Sequence, residues 1–114
     1  MKYIALICIL FTLSSFTTSS VLPTNAKFTI VDELGNRVLG ATVTLYLTKE
    51  DYREELNPVQ TSITDDKGIV TFKKLEPKNY FVHAYKGDKN NNFAGVETDV
   101  LIEGKMNKIT IVIN

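Results

Sequence analysis

The chain has few of the residue types from which most enzyme sites and metal sites are built. It contains one histidine, one cysteine and no tryptophan among 114 residues. No serine lies in a nucleophile motif, so the side chains cannot supply a nucleophile together with a general base. The one imidazole, His83, has no second histidine with which to bind a metal ion. We therefore expect a protein that is not an enzyme and that carries no cofactor.

An excess of charge of either sign is also missing. Lys and Arg together number 13, Asp and Glu together number 13, and the formal net charge is zero. A nucleic-acid-binding protein, or one that binds acidic membranes through a polybasic patch, carries a clustered excess of basic residues. We therefore expect no nucleic-acid partner.

No apolar run is long enough to span a bilayer, and the longest lies at the N-terminus. Lys2 is followed by apolar residues from Tyr3 to Leu13, which is the length of a signal-peptide core. Small residues follow, so we expect residues 1–20 to act as a signal peptide, with cleavage somewhere between Ser19 and Ala26. The processed chain would be secreted, to a periplasm or outside the cell, without a membrane anchor.

The single cysteine, Cys8, lies inside this apolar core and would be removed with it. The exported chain would then have no disulfide in a compartment where disulfides form. Its stability must come from packing, and residues 27–114 are long enough for one domain.

The exported part alternates between apolar and polar residues in short runs that are separated by turn signals. The clearest run is 41–48, which places Val43, Leu45 and Leu47 on one face. We expect strands at 27–31, 41–48, 59–64, 69–72, 80–86, 96–102 and 108–113. The charged segment 49–57 is expected to be a loop or at most one helical turn, and 87–92 a solvated loop. These features predict an all-β fold, an antiparallel Greek-key β-sandwich of about seven strands.

Three turn-and-strand motifs follow one another along the chain. They are the segment from Asp32 to Leu45, the pattern Thr64-Asp65-x-x-Gly68-x-x-x-Phe72-x-x-Leu75, and the pattern Leu75-x-Pro77-x-x-Tyr80-x-Val82-x-Ala84. Together they resemble the carboxypeptidase regulatory-like superfamily, which has a transthyretin-like (prealbumin-like) β-sandwich and includes the collagen-adhesin B-type repeats of bacterial surface proteins. The resemblance covers about two thirds of residues 27–114 and implies a bacterial origin. Because the motifs specify turns and core positions, they indicate a fold rather than a chemistry.

The resemblance also implies which chemistry to look for. Collagen-adhesin B-type repeats often carry a Lys–Asn isopeptide bond whose formation a buried Glu catalyses. The positions that match the Lys and the Glu hold Ile30 and Ala84 here, so we do not expect this bond, although Asn114 could take the acceptor's place. The related hydroxyisourate hydrolases need a first-strand His, and this chain has none there.

A calcium site is an alternative for the most polar loop. Asp88, Asn90 and Asn92 place oxygen donors at alternate positions, and Asp99 falls where the closing acid of a twelve-residue loop would lie. Phe93 stands where such a loop requires Gly for its bend. We therefore favour an ordinary connection between strands and keep calcium binding as the alternative.

An aromatic face is the remaining candidate site. If alternate residues of the fifth strand (Tyr80, Val82 and Ala84) face the core, its other side chains project outward, beside one from another strand. This outward set consists of Tyr46, Phe81, His83 and Tyr85. It could bind a sugar ring, a peptide or a partner sheet. The simpler explanation, which we favour, is that the segment 49–57 covers it or that these side chains merely pair across strands.

These observations predict a secreted, non-catalytic module with a structural or interaction role and an unidentified protein or glycan partner. A small-ligand carrier acting as a transthyretin-like dimer is an alternative, and a stable dimer would favour it. An accessory subunit of a surface assembly is another, and it would be monomeric alone with an edge strand such as 59–63 free for strand addition.

Overall fold

The computed structural model describes residues 22–114 and shows two β-sheets that share one core. The elements are β1 (Asn25–Val31), β2 (Thr42–Tyr46), α1 (Lys49–Glu54), β3 (Gln60–Ile63), β4 (Ile69–Phe72), β5 (Phe81–Lys86), β6 (Lys89–Asn90) and β7 (Met106–Val112). The three-stranded sheet has the order β4-β1-β7, and the four-stranded sheet has the order β3-β2-β5-β6. The predicted all-β fold is confirmed in its two sheets and in its number of strands. The predicted signal peptide, including Cys8, lies outside the described residues.

The core lies between the two sheets and is almost entirely apolar. Alternate residues of β1, β2 and β5 point inward, as the alternation in the sequence predicts. Phe28 and Phe72 meet edge to face at its centre, with ring centroids 5.7 Å apart. Tyr80 is also buried, and its hydroxyl donates a hydrogen bond to the Glu76 carbonyl (2.8 Å). The other large buried side chains are Ile30, Leu45, Ile111, Ile113, Val43 and Val82.

The first two sequence motifs meet at Thr64 and Gly68. The buried Thr64 hydroxyl accepts from the Ala41 amide (2.9 Å) and donates to the Val38 carbonyl (2.6 Å), so it joins the two turns. Gly68 has φ +74°, and a Cβ there would lie 3.0 Å from the Ile30 carbonyl oxygen. Glycine is required because the backbones pass too closely for a side chain.

One strand pairing differs from the prediction. β1 pairs antiparallel with β4 but parallel with β7, in a register that runs from Asn25 opposite Met106 to Val31 opposite Val112. The sandwich is therefore mixed rather than wholly antiparallel. Side-chain alternation is the same in both kinds of pairing, so it could not reveal the direction.

The expected strand at 96–102 is wrong. That segment makes one isolated bridge, between Glu97 and Phe81, and the sixth strand is instead Lys89–Asn90, inside the expected loop. The prediction that Leu47 lies on the same face as Val43 and Leu45 is also wrong. Strand β2 ends at Tyr46, and the Leu47 side chain is 42% exposed.

The charged segment after β2 forms the short helix α1. Thr48 caps its start, the Thr48 hydroxyl accepting from the Asp51 amide (3.0 Å), and Glu55, with φ 55°, caps its C-terminal end. The sequence predicts at most one helical turn here, and α1 is longer than that, with six residues. No helix within residues 22–114 has the length and apolar composition needed to cross a bilayer.

Candidate binding face

The outward side chains of β2 and β5 form a continuous aromatic row on the four-stranded sheet. Register places Tyr46 opposite Phe81, and Thr44 opposite His83. His83 also stacks on Tyr85, with ring centroids 4.7 Å apart and an interplanar angle of 31°. The structure therefore brings together the four residues that the sequence selected.

Helix α1 covers one end of this row through Tyr52. The Tyr52 ring meets Tyr46 edge-on at 6.0 Å and His83 edge-on at 6.1 Å, and it lies 6.4 Å from the Phe81 ring. Tyr46 is only 4% exposed as a result. The segment 49–57 therefore covers Tyr46, which is one of the two simpler explanations considered from the sequence. Tyr52 is not among the residues selected from the sequence. The pattern that could have indicated it is Thr48-x-x-Asp51, a helix cap that begins four residues before Tyr52.

This covering changes the acid–base properties of the tyrosines. Burial raises the pKa of the Tyr46 hydroxyl, and the nearby Glu55 carboxylate raises it further. The pKa of Tyr52 is raised for the same two reasons. Both hydroxyls therefore stay neutral hydrogen-bonding groups at physiological pH.

The other end of the row is open. Tyr85 is 37% exposed. A hollow of about 270 Å³ lies on the other side of His83, next to α1. Tyr52, Arg53, Glu55, His83 and Asn92 line it. A guanidinium, a carboxylate and an amide beside stacked rings suit a polar partner with a flat apolar face, such as a sugar or a peptide side chain.

The proposed calcium donors have other contacts. The Asn90 side-chain oxygen accepts from the Asn92 amide (3.0 Å), and the Asn92 side-chain oxygen lies 3.4 Å from the Tyr52 hydroxyl. Asp88 lies in the tight turn between β5 and β6, whereas Asp99 follows the Glu97 bridge. Within residues 22–114, no three His, Cys, Asp or Glu side chains gather closely enough to hold a metal ion. Calcium binding stays a prediction.

The residue that organises this loop is Asn91, which the sequence did not single out. Its side chain is buried, accepting from the Ala84 amide (2.9 Å) and donating to the carbonyls of Val82 (3.0 Å) and Gly95 (3.1 Å). Asn91 thus satisfies backbone groups of β5 and fastens the following loop to it. Three adjacent asparagines gave no sign of which one points inward.

The positions matched to the isopeptide bond lie in the apolar core. Ile30 and Ala84 are both fully buried in the same hydrophobic cluster. Asn114 pairs through its backbone with Asn90, with bonds of 3.1 and 3.0 Å, and so joins the end of β7 to the four-stranded sheet. The surroundings of Ile30 and Ala84 are those of packed side chains rather than of a reactive group.

Two aspartates stabilise the turns of the sequence motifs in the same way. An Asp32 carboxylate oxygen accepts from the amides of Leu34 and Asn36, each at 2.9 Å. An Asp65 oxygen accepts from the amides of Lys67 (2.9 Å) and Ile69 (3.0 Å). These hydrogen bonds lower the pKa of both carboxyls, chiefly through Asn36 for Asp32 and Ile69 for Asp65. The Asp32 and Asp65 side chains therefore stabilise the turns in which they lie.

Comparison with known proteins finds similarity of fold alone. No protein-family model matches the chain, and no curated protein matches it in sequence. Among solved structures, the Bacillus anthracis TIE protein has a TM-score of 0.59 at 19% identity, covering 82% of this chain and 16% of that one. A streptococcal ancillary pilin has a TM-score of 0.59 at 19% identity, covering 84% and 33%. The pilus 2b backbone protein of group B streptococcus has a TM-score of 0.57 at 14% identity, covering 80% and 40%.

These matches define the class of fold. The chain has a β-sandwich of the kind found as one domain within bacterial pilins, and it spans less than half of each of these three structures. At identities this low, the likeness concerns the fold.

Proposed function

We propose that this chain is a secreted, non-catalytic structural or interaction module at a bacterial cell surface or in a periplasm. The observation that carries the proposal is the fold: pilin subunits match more than four fifths of the chain. The composition supports it, because the sequence supplies no nucleophile–base pair. The motifs around Asp32 and Asp65 support assignment of this sandwich to the carboxypeptidase regulatory-like superfamily.

Export is tested by expressing the full chain in a bacterial host and measuring the intact mass of the product. We expect a chain that begins between residues 20 and 27 in the exported fraction, at the mass its sequence gives. A mass lower by about 17 Da, one ammonia, would reveal a cross-link and contradict the apolar assignment of Ile30 and Ala84. Unprocessed chain that remains in the cytosol would contradict secretion.

An interaction role is best supported at the open end of the aromatic row. Tyr85→Ala removes the exposed ring and leaves Tyr52, Tyr46 and Phe81 packed together. On a glycan and peptide array, we expect the wild-type chain to bind and Tyr85→Ala to lose binding. A matched control is Ile63→Ala, because Ile63 is an exposed side chain on a different strand. Equal binding by all three proteins would exclude this face.

A small-ligand carrier is the second candidate. The hollow beside His83 supports it only in part, since its 270 Å³ lies just below the usual range of ligand pockets, about 300 to 1,000 Å³. The calcium module remains the third, and a melting temperature that does not change when calcium is added to metal-free protein would exclude it.

A further inference from the structure

Strand β7 lies at one edge of the three-stranded sheet. Within residues 22–114, Met106–Val112 pair with β1 alone, and just beyond the strand Asn114 bonds through its backbone to Asn90 of β6. The backbone hydrogen bonds at the two ends of β7 show which of its residues point their amide and carbonyl groups toward β1. The Lys105 carbonyl accepts from the Asn25 amide, and the Ile113 amide donates to the Val31 carbonyl. Odd-numbered residues therefore direct their backbone groups toward β1. The amides and carbonyls of the even-numbered residues, Lys108 and Thr110 among them, point away from the sheet.

An open groove runs beside this edge. It has a volume of about 600 Å³ and lies between β7 and the segment 95–102. Three apolar side chains line it although they are largely exposed: Val100 (64%), Ile102 (58%) and Met106 (44%). Val112, on the same face of β7 as Met106, is 46% exposed. Exposed apolar residues beside unpaired backbone groups are typical of a surface that pairs with another strand.

The side chains of β7 match those of a second, antiparallel β7. When the two-fold axis passes through Ile109, Met106 lies opposite Val112 of the second copy and Lys108 lies opposite Thr110. Apolar side chains then meet each other, and no charged side chain faces one of its own sign. In this register each even-numbered residue lies opposite an even-numbered residue of the second copy. The amides and carbonyls of both residues then point at each other, so each such pair can form two hydrogen bonds.

Neighbouring registers fit less well. With the axis at Lys108, the two lysines face each other directly, which is destabilising. With the axis at Thr110, Lys108 faces the apolar Val112. We propose that the exported chain forms a symmetric dimer by antiparallel pairing of β7 with β7 of a second copy, centred on Ile109. The two three-stranded sheets become one six-stranded sheet.

Sedimentation equilibrium of the exported chain over a wide range of concentrations tests this proposal. We expect a dimer, and we expect Thr110→Lys to raise its dissociation constant roughly ten-fold, because two symmetry-related lysine pairs are created. The double variant Lys108→Glu with Thr110→Lys places opposite charges in those pairs and should restore dimerisation. Ile63→Lys, which adds the same charge on the β3 edge, should leave the dimer unchanged.

Three results would overturn the proposal. The first is a wild-type monomer at every concentration, which would leave the β7 edge to a different occupant. The second is a dimer that Ile63→Lys weakens and Thr110→Lys does not, which would place the interface on β3. The third is failure of the double variant to restore association, which would exclude the Ile109 register. Amide exchange gives an independent check: the Lys108 and Thr110 amides should exchange more slowly as concentration rises, and equal rates at all concentrations would contradict pairing.

Discussion

A few polar side chains hold the connections of this sandwich in place. Asp32 and Asp65 bind the amides of their own turns, Thr64 joins the two turns, and Asn91 fastens the loop after β6. The sequence predicted the Asp-containing turns, because Asp and Gly at such spacing are typical of them. It could not predict Asn91, because the direction of one side chain in an asparagine run depends on tertiary packing.

Replacing Asn91 should be costly. Asn91→Ala leaves the Ala84 amide and the Val82 carbonyl buried without their partner, and we expect a loss of roughly 2–4 kcal/mol in the free energy of unfolding. Asn92→Ala, at an exposed neighbour, should change it by less than about 0.5 kcal/mol. Urea denaturation measures both values. Equal, small losses would show that Asn91 does not anchor the loop.

The Asp65 carboxyl should make the free energy of unfolding depend on pH in the acidic range. Its pKa is lower in the folded chain than in the unfolded chain, so its contribution is present above the unfolded value, near 3.8, and is lost as pH falls through the folded value. Asp65→Asn keeps an oxygen that can accept from Lys67 and Ile69 but removes the titrating group. We expect its unfolding free energy to fall less than that of the wild type between about pH 5 and pH 2.

Asp66→Asn is the matched control for this charge removal, because no hydrogen bond from a turn amide reaches the Asp66 side chain within residues 22–114. If Asp65→Asn and Asp66→Asn gave the same pH profile, the turn hydrogen bonds would not be the cause.

At the scale of elements, periodicity predicted the strands that build the core and failed where an element is held by other means. Segment 96–102 buries Leu101 and leaves Val100 and Ile102 exposed, as a strand with one buried face would, yet it forms a single bridge. Helix α1 has no apolar stripe and is placed by a cap at Thr48 and by one ring, that of Tyr52. Alternation reports burial on one side, whereas strand pairing requires a partner backbone.

Helix α1 should depend on Tyr52 for its position. Tyr52→Ala removes contacts with Tyr46, Phe81 and His83, and we expect a loss of about 1–3 kcal/mol in the free energy of unfolding. Arg53→Ala, the next residue of the same helix, should cost less than about 0.5 kcal/mol. Thermal or urea unfolding followed by tyrosine fluorescence measures the difference, since the chain has no tryptophan. Similar losses in both variants would mean that the helix is not held by this ring.

The molecule as a whole packs its two sheets around one apolar core over residues 22–114. The residues described contain no cysteine, and the core positions that match the isopeptide pair are apolar. The sequence predicted the sandwich because turn motifs and alternation agree with each other. The parallel pairing of β1 with β7 and the open groove beside β7 could not be predicted, since both depend on which strand ends up as a neighbour.

The role proposed for this module is contact with other molecules at a bacterial cell surface or in a periplasm. Its most direct test is chemical cross-linking of the intact producing bacterium, followed by an immunoblot of surface and cytosolic fractions with an antiserum against residues 22–114. We expect processed chain in the surface or periplasmic fraction, cross-linked into a larger complex. Unprocessed chain, found uncross-linked in the cytosol, would contradict it.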